Sequence, residues 1–302
     1  MKKTILVTGA SSGIGLDISR SLAEKGHQVY ATARHDSDLT HLAQIENIHP
    51  LNLDVTHADQ IKSAVRSIRE AGLGLDGLVN HAGLGGLGAC HSWNESEIQE
   101  LFNVNTLGPW RMSNAVLPLL LESRGRIVNI GSQGGMITQK YFGPYTMTKH
   151  ALEAYTEAMR DELQSHGIQV SIVQPGGIVS SIGPNALPGI LNRLRRAKPP
   201  FKAEAEELLK QFQEAPEKPS NDEPESASHR KPSDPAIVSE AVHHALFSTK
   251  PRDSYLVGTK WEGDRVINAL FRKILAANES PLHGYTRDEL IILLDKHLSK
   301  TV

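Results

Sequence analysis

The stretch TGASSGIG at residues 8–15 follows a short apolar run and opens a segment with helical periodicity. Glycines let the backbone approach a phosphate closely, and the first turn of a helix presents free N–H groups at its positive end. The spacing G-x-x-x-G-x-G therefore predicts a strand, a turn that holds a pyrophosphate, and a helix. Taken alone, the motif is also compatible with a purely structural glycine turn.

Short apolar runs alternate with helical patterns as far as Ser180. The predicted strands are Thr4–Thr8, Gln28–Thr32, Ile48–Leu53, Gly77–Asn80, Arg126–Ile130 and Gln169–Val173. The predicted helices lie near Gly15–Lys25, Ala58–Ala71, Glu95–Leu121 and Tyr145–Ser165. Strands that alternate with helices indicate βαβ units. We therefore expect an α/β fold with a doubly wound parallel sheet of the Rossmann type, in a single domain over residues 1–302.

The pattern changes after Ser180. We interpret residues 181–235 as a substrate lid that includes a mobile insertion rich in Pro and Glu, because the second half of the Pro- and acid-rich stretch 199–235, residues 216–235, has almost nothing to bury. A solvated loop without function is the alternative. Within this segment the helix Leu187–Lys198 has an apolar face formed by Leu187, Ile190, Leu191 and Leu194. Its basic face is interpreted as solvated, with contact to a membrane surface as the alternative, and consists of Arg193, Arg195, Arg196 and Lys198.

Residues 236–302 are predicted to form a C-terminal helical extension. Its helices are Ile237–Ser248, Trp261–Ala277 and Arg287–Leu298, and Ser254–Val257 is a possible last strand. The predicted fold is therefore an α/β fold with a parallel sheet, to which a lid insertion and a C-terminal helical extension are added.

Composition excludes several classes of partner. The formal net charge is −2, so no overall field draws the chain to nucleic acid or anionic lipid. Cys90 is the single cysteine, which excludes an intramolecular disulfide and a zinc site built on several cysteines, and we predict no metal site. No apolar run approaches the ~20 residues that span a bilayer. We therefore expect a soluble, cytoplasmic protein that acts on a small molecule.

The end of the second predicted strand, VYATAR at residues 29–34, bears on the choice of cofactor. Ala33 stands where an enzyme that uses NAD commonly places an acid against the adenosine ribose. Arg34 can instead meet a 2′-phosphate with charge-assisted hydrogen bonds. This pattern predicts NADP(H) rather than NAD(H). An ordinary surface role for Arg34 is the alternative, and the neighbouring Asp36 and Asp38 weigh against the phosphate.

Tyr145 and Lys149 are four residues apart on a predicted helix and therefore share a face. A lysine cation beside a phenol lowers the pKa of the phenol and makes it a usable acid or base. Such pairs also occur by chance on helix surfaces. The functional interpretation depends on Ser132, which follows the apolar strand Arg126–Ile130, because open α/β sheets bind ligands at the carboxyl ends of their strands.

Seven motifs in this order resemble the short-chain dehydrogenase/reductase family. They are TGASSGIG (8–15), LDV (53–55), NHAG (80–83), NVNTLG (103–108), NIGSQGG (129–135), YTMTK (145–149) and PGGIVS (175–180). The resemblance spans residues 1 to about 180. Within the family, VYATAR, the segment at residues 142–163 and the insertion after PGGIVS are similar to hydroxysteroid and retinol dehydrogenases.

The resemblance implies four catalytic residues. Tyr145 would donate or accept the proton, Lys149 would lower its pKa and hold the nicotinamide ribose, and Ser132 would orient the substrate carbonyl. Asn105 would help hold a water that links Lys149 to solvent. Ser132 and Tyr145 are also the implied substrate-binding pair. The implied cofactor-binding residues are Gly9, Ser11, Ser12, Gly13, Ile14, Gly15, Arg34, Asp54, Val55, Asn80, Ala82, Gly83, Tyr145, Lys149, Pro175, Ile178 and Ser180.

His81 departs from the family pattern, which usually has a second Asn there. We interpret it as a loop histidine without a role, with a proton relay as the alternative. As a whole, the sequence predicts an oxidoreductase that transfers hydride between NADP(H) and a carbonyl or secondary alcohol with an apolar body. The alternatives are a non-catalytic NADP(H)-sensing regulator and a sugar-nucleotide epimerase. The resemblance also implies a homo-oligomer, either a dimer or a tetramer.

Overall fold

The computed structural model describes residues 2–213, 224–226, 230–280, 282 and 284–299. In this part of the chain seven strands form one sheet in the order β3-β2-β1-β4-β5-β6-β7, and each neighbouring pair is parallel. The strands are β1 (Thr4–Val7), β2 (Gln28–Ala33), β3 (Ile48–Asn52), β4 (Gly77–Asn80), β5 (Arg126–Ile130), β6 (Gln169–Pro175) and β7 (Ser254–Val257). The predicted doubly wound parallel sheet is confirmed.

Helices cover both faces of the sheet. In the described ranges they are α1 (Gly13–Glu24), α2 (Asp36–Leu42), α3 (Ala58–Glu70), α4 (Glu95–Asn105), α5 (Leu107–Ser123), α6 (Gly143–Gln164), α7 (Ile182–Arg195), α8 (Lys202–Gln213), α9 (Ala236–Phe247), α10 (Lys260–Asn278) and α11 (Arg287–Leu298). None of them is long and apolar enough to cross a bilayer, within the part of the chain that was described.

The central strands are apolar on both faces because both faces of the sheet are buried there. Ile5 and Val7 of β1 pack in one cluster with residues of α1 and α9, whereas Leu6 packs in a second cluster with residues of α3 and α5. All three side chains are fully buried. Successive strand residues point to opposite faces, so one short run contributes to both cores.

The order of the strands places a crevice beside β1. The chain adds β2 and β3 on one side of β1, then crosses over and adds β4 to β7 on the other. The loops that follow β1 and β4 therefore turn to opposite faces at the carboxyl edge of the sheet. Open α/β sheets bind their ligands at such a switch point, and the TGASSGIG turn follows β1 directly.

The predicted helix Glu95–Leu121 is two helices, α4 and α5, that meet at Thr106. The break has a local cause, because Pro109 has no N–H to donate to the carbonyl of Asn105 four residues earlier, and its ring crowds that carbonyl. The prediction missed this effect. The break between α4 and α5 places Asn105 at the end of α4.

The predicted lid contains a helix that the sequence did not predict. Helix α8 lies within residues 181–235, the segment interpreted as a lid with a mobile insertion, and its Ala205 is fully buried against Ile190 and Leu194 of α7. Residues 214–223 and 227–229 of the predicted mobile insertion lie outside the described residues. Beyond them, Ser233 forms a bridge with Ile178 and accepts a backbone hydrogen bond from Val179.

The predicted C-terminal extension begins later than expected. Helix α9 packs on α1, and β7 pairs with β6, so residues 236–257 complete the sheet and its helical layer. The reason lies in the apolar residues Val238, Val242 and Tyr255, which are buried in the main core. Among the described residues after 257, α10 and α11 form the helical extension.

The interpretation of α7 as having a solvated basic face is wrong for Arg193, whose side chain is only 5% exposed. Its guanidinium lies 3.7 Å from the centre of the Trp93 ring and donates to the Leu87 carbonyl at 2.8 Å. It also pairs with Glu97 at 3.0 Å, and Arg196 pairs with the same carboxylate. Stacking on the indole and a half-buried carboxylate partner stabilise the cation away from water.

Candidate active site

The turn after β1 has the geometry of a phosphate cradle. Gly9 and Gly13 have φ angles of 67° and 53°, a region that favours glycine. A Cβ on Gly9 would also approach Ala82 Cα to 2.8 Å. The side chain of Ser12, the N-cap of α1, makes no capping hydrogen bond within the described chain. The first amides of α1 are therefore available to an anionic ligand at the helix N-terminus.

The loop after β4 braces this turn. Thr8 Oγ1 accepts hydrogen bonds from the backbone N–H groups of His81 and Ala82, at 3.0 and 3.1 Å. The His81 Nδ1 atom lies 3.0 Å from the carbonyl oxygen of Gly9 and 3.2 Å from that of Thr8. Burial lowers the pKa of His81 to about 4, and the positive charge of Lys149 acts in the same direction. His81 is therefore neutral near pH 7 and ties the two loops of the crevice together, a role the sequence did not predict.

The adenosine end of the groove contains Arg34 and Asp54. Arg34 Nη1 lies 3.6 Å from Asp54 Oδ2, and the Arg34 side chain is 60% exposed. Asp54 accepts hydrogen bonds from the N–H and Oγ1 of Thr56 at 2.8 and 2.6 Å. Burial raises the pKa of Asp54, whereas these hydrogen bonds and the charge of Arg34 lower it. The lowering effects are larger together, so the pKa of Asp54 is below its usual value. The carboxylate is thus held in place while the Arg34 guanidinium stays open to a ligand.

The catalytic candidates meet where β5 and α6 come together. Lys149 is buried, and its Nζ atom donates to the Ile130 carbonyl at 2.9 Å. Burial lowers the pKa of Lys149 to about 8, while the negative charge of Glu153, one turn further along α6, raises it. The backbone N–H of Gly134 donates to Ser132 Oγ at 3.0 Å, which fixes the serine at the end of β5.

Tyr145 differs from the expectation in one respect. Burial raises the pKa of the Tyr145 phenol, and a hydrogen bond with Ser132 acts against that rise. The sequence predicts that Lys149 lowers this pKa, but in the structure Lys149 is hydrogen-bonded to Ile130. The phenol is therefore a protonated group at neutral pH, adjacent to Ser132.

Asn105 clamps the loop that follows NHAG. Its Oδ1 atom accepts from the Leu84 N–H at 2.7 Å, and its Nδ2 atom donates to the Leu84 carbonyl at 2.9 Å and to Thr148 Oγ1 at 3.1 Å. Thr148 belongs to α6, between Tyr145 and Lys149. Asn105 thus connects the end of α4 to the helix that carries the two catalytic candidates.

A groove at the carboxyl edge of the sheet connects these parts. Its lining includes these predicted cofactor residues: Gly9, Ser11, Ser12, Gly13, Ile14, Arg34, Asp54, Val55, Ala82, Gly83, Tyr145, Lys149, Pro175, Ile178 and Ser180. Gly15 and Asn80 lie behind it. A Cβ on Gly15 would meet the His81 ring, and the Asn80 amide donates to Asn129 at 2.9 Å and Ser113 at 3.2 Å. The open groove, its glycines and its free amides fit a dinucleotide.

A cavity of about 370 Å³ adjoins the groove. Ser132 and Tyr145 line both spaces. Most of the cavity wall is apolar and includes Leu87, Ile137, Phe142, Ile182, Ala186, Ile190 and Phe212. Of the four apolar lid residues predicted on α7, Ile190 lines the cavity, whereas Leu187, Leu191 and Leu194 lie on other parts of the helix.

The cavity also has a polar part that the sequence did not predict. Gln133, Arg230 and Arg265 line it, and Glu262 is buried beside them. Gln133 follows Ser132 directly, which is the one signal that the sequence offered. The other three come from segments far from the recognised motifs.

Comparison with known proteins agrees with this geometry. A 3-ketodihydrosphingosine reductase of Bacteroides thetaiotaomicron is 39% identical over 173 residues, which cover 57% of this chain and 62% of the reductase. Retinol dehydrogenase 5 of Mus musculus is 37% identical over 177 residues, 57% of this chain and 55% of that protein. The chain thus matches less than two thirds of the length of these relatives. The expected likeness to retinol dehydrogenases is confirmed.

Solved structures extend the likeness over most of the chain. A short-chain dehydrogenase from Streptomyces avermitilis has a TM-score of 0.75 at 28% identity, covering 92% of this chain and 95% of that one. The actinorhodin polyketide ketoreductase with NADPH has a TM-score of 0.66 at 27% identity, covering 85% and 95%. The family model described as short chain dehydrogenase matches residues 3–188. The chain belongs to the short-chain dehydrogenase family.

Proposed function

We propose that this chain is an oxidoreductase that uses NADP(H) to interconvert a carbonyl and an alcohol. The observation that carries the proposal is that Ser132 and Tyr145 line both the groove and the adjoining cavity. Two hydroxyl groups therefore stand where a nucleotide in the groove and a small molecule in the cavity would meet. Such a junction is what hydride transfer requires, because the reacting atoms must be held in contact.

The side chains suit the proton part of the reaction. The Tyr145 phenol, whose pKa is raised by burial, is protonated at neutral pH and can donate to a carbonyl oxygen that is becoming an alcohol. Ser132 can donate a second hydrogen bond to that oxygen and orient it. When bound, the nicotinamide supplies the hydride in reduction and accepts it in oxidation. Lys149, with a pKa of about 8, is largely a cation at neutral pH and would stabilise the phenolate that remains.

The preference for NADP(H) is supported by Arg34. Its exposed guanidinium lies at the end of the groove where an adenosine ribose would bind, and Ala33 beside it has no acid to hold the 2′-hydroxyl. The actinorhodin ketoreductase structure that resembles this chain contains NADPH. Asp38 also lines the groove, so the choice between the two cofactors depends on which of these groups the ribose meets.

The proposal includes an apolar substrate body and a homo-oligomer. The cavity wall supports the first, and the lid segment of α7 and α8 would close over it. Exposed Leu107, Trp110 and Met147 on α5 and α6 support the second, because large apolar side chains that face solvent can pack against a second copy of the chain. A cytoplasmic location stays a prediction.

The test is NADPH oxidation measured against a panel of ketones and aldehydes that ranges from small polar compounds to steroid-sized ones. An oxidoreductase consumes NADPH with at least one compound class and returns an equal amount of alcohol. The competing hypothesis, a non-catalytic sensor of NADP(H), predicts tight NADPH binding without turnover of any compound. That result would overturn the proposal.

A further inference from the structure

The polar part of the substrate cavity contains two arginines that differ in how their charge is balanced. Arg230 is paired with Glu262, a fully buried carboxylate. Glu262 also accepts from the Gly177 N–H at 2.8 Å and completes the N-terminal capping box of α10. Its bonding capacity is taken up by these partners, so it neutralises Arg230 and fixes the turn after β6.

Arg265 lies one turn further along α10 than Glu262, and its described hydrogen bond and ring contact are both with neutral groups. Its Nη1 atom donates to Gln139 Oε1 at 2.7 Å, and its guanidinium lies 5.3 Å from the centre of the Trp261 ring. Its Nε atom is buried and has no hydrogen-bond partner among the described residues. Because Arg265 lines the cavity, its guanidinium brings a positive charge to whatever binds there.

Gln133 provides an independent sign that a polar group belongs at this place. Its Nε2 atom donates to the Val257 carbonyl at 3.2 Å, which fixes the orientation of the amide because a carbonyl only accepts. Its Oε1 atom is then buried without a partner in the described part of the chain. Arg265 and Gln133 thus both line the cavity and each has one unsatisfied buried polar atom, which is costly unless a ligand or water completes it.

Burial is the main cause that lowers the pKa of Arg265, and the charge of Arg230 acts in the same direction, whereas the charges of Glu262 and Glu225 raise it. A half-buried cation of this kind is stabilised by an anionic ligand that hydrogen-bonds to it. Glu225 Oε1 makes no hydrogen bond to any described residue. A carboxylate that reached Arg265 would gain a charge-assisted hydrogen bond and relieve the repulsion between the two arginines.

We propose that the substrate is a carbonyl compound with an apolar body and a carboxylate at a distance from the reacting carbon, and that Arg265 binds this carboxylate. The inference rests on the proposed function for the position of the carbonyl at Ser132 and Tyr145. The apolar walls hold the body between these two ends. Arg193 of α7 and Arg196, its C-cap, are both paired with Glu97. Their charges are therefore already balanced, and we assign the carboxylate to Arg265.

Direct binding tests the carboxylate site without turnover. Titration of decanoate and decanol into the NADP-loaded chain compares an apolar ligand with and without the charge. Decanoate should bind more tightly than decanol, and Arg265→Gln should weaken decanoate binding about 10- to 100-fold while leaving decanol binding unchanged. Arg272→Gln, an exposed arginine on the same helix, is the matched control and should change neither. Glu225→Gln, which removes a competing negative charge, should strengthen decanoate binding.

Turnover tests the same site in the reaction. Methyl ketones of increasing length are compared with the same ketones that carry a carboxylate at the far end. At the chain length that reaches Arg265, the keto acid should have a higher kcat/KM than the ketone of the same length. Arg265→Gln should lower kcat/KM for the keto acid to that of the ketone and leave kcat/KM for the ketone unchanged. An equal loss of kcat/KM for ketones and keto acids in Arg265→Gln would overturn the inference. A dissociation constant for decanoate that is unchanged in Arg265→Gln would also overturn it. Failure of every ketone with intact decanoate binding would overturn the proposed function and leave the carboxylate site standing.

Discussion

His81 Nδ1 lies 3.0 Å from the carbonyl oxygen of Gly9, so a side chain from the loop after β4 closes the phosphate turn after β1. Because both nearby acceptors are backbone carbonyls, Nδ1 carries the hydrogen and the ring is in one tautomer. The ring also fills the space that a Cβ on Gly15 would need. The structure therefore gives His81 a positioning role at the cofactor groove.

This relationship predicts a pH-dependent stability. The pKa of His81 is about 4 in the folded chain against 6.5 in the unfolded one, so the unfolded chain binds the extra proton first as pH falls. Its contribution is complete above pH 6.5 and is lost between 6.5 and 4. Relative to His81→Asn, the wild type should lose about 2 kcal/mol of unfolding free energy between about pH 7.5 and about pH 5. Parallel urea-unfolding curves for the two proteins across that range would contradict the neutral assignment.

Tyr145→Phe should abolish most of the activity without affecting cofactor binding. The change removes one hydroxyl, and loss of a general acid costs roughly 10²–10⁴-fold in rate. The measurement is kcat with a compound that the panel identifies, alongside the NADPH dissociation constant. Tyr285→Phe, an exposed tyrosine outside the site, serves as the control. A wild-type kcat in Tyr145→Phe would show that another group donates the proton.

The pH profile should depend on Glu153. The pKa of Lys149 is about 8 in the structure, so kcat/KM for carbonyl reduction should fall as pH rises through that value and the cation is lost. Glu153 raises the pKa of Lys149 by its charge, and Glu153→Gln should therefore move the falling limb to lower pH. Glu157→Gln changes an exposed acid one turn further on and should leave the limb in place. An unmoved limb in both variants would mean that Lys149 does not control it.

Arg34→Ala should weaken NADPH binding and spare NADH. Loss of a charge-assisted contact with the 2′-phosphate costs about 1.5–3 kcal/mol. The measurement is the ratio of the two dissociation constants in wild type, in Arg34→Ala, and in Arg66→Ala as a surface control on α3. An unchanged ratio in Arg34→Ala would assign the choice of cofactor to another residue, with Asp38 the first to examine.

Limited proteolysis tests the composition argument for the insertion. The acid- and proline-rich sequence of residues 216–235 predicts the first cleavage within that stretch, and the contacts of Arg230 and Ser233 narrow the expected site to the part before Arg230. Residues from Arg230 onward should be protected, because Arg230 pairs with Glu262 and Ser233 pairs with Gly177 and Val179. A first cut elsewhere, mapped by mass spectrometry, would show that composition misled the prediction.

Much of the fold was predictable because it follows from local pattern. The parallel sheet followed from apolar runs such as that of β1, whose burial on both faces is visible in three consecutive residues. The catalytic candidates Tyr145 and Lys149 followed from helical spacing within one segment. Helix α8 was missed because its short apolar stripe lies among many charged residues in a proline-rich stretch, and α2 was missed because it is short.

The sequence by itself determined the class of the sheet, the phosphate turn and the spacing of Tyr145 and Lys149, since each depends on residues close together along the chain. Only the tertiary structure decided that Arg193 is buried on Trp93, that His81 holds Gly9, and that Arg265 faces the cavity that Ser132 lines. These contacts join residues on different elements, and burial, partner choice and charge balance arise only when the fold brings those elements together. The sequence gives the charge of a side chain. Whether that charge is neutralised depends on neighbouring residues from other parts of the chain, which only the tertiary structure brings close.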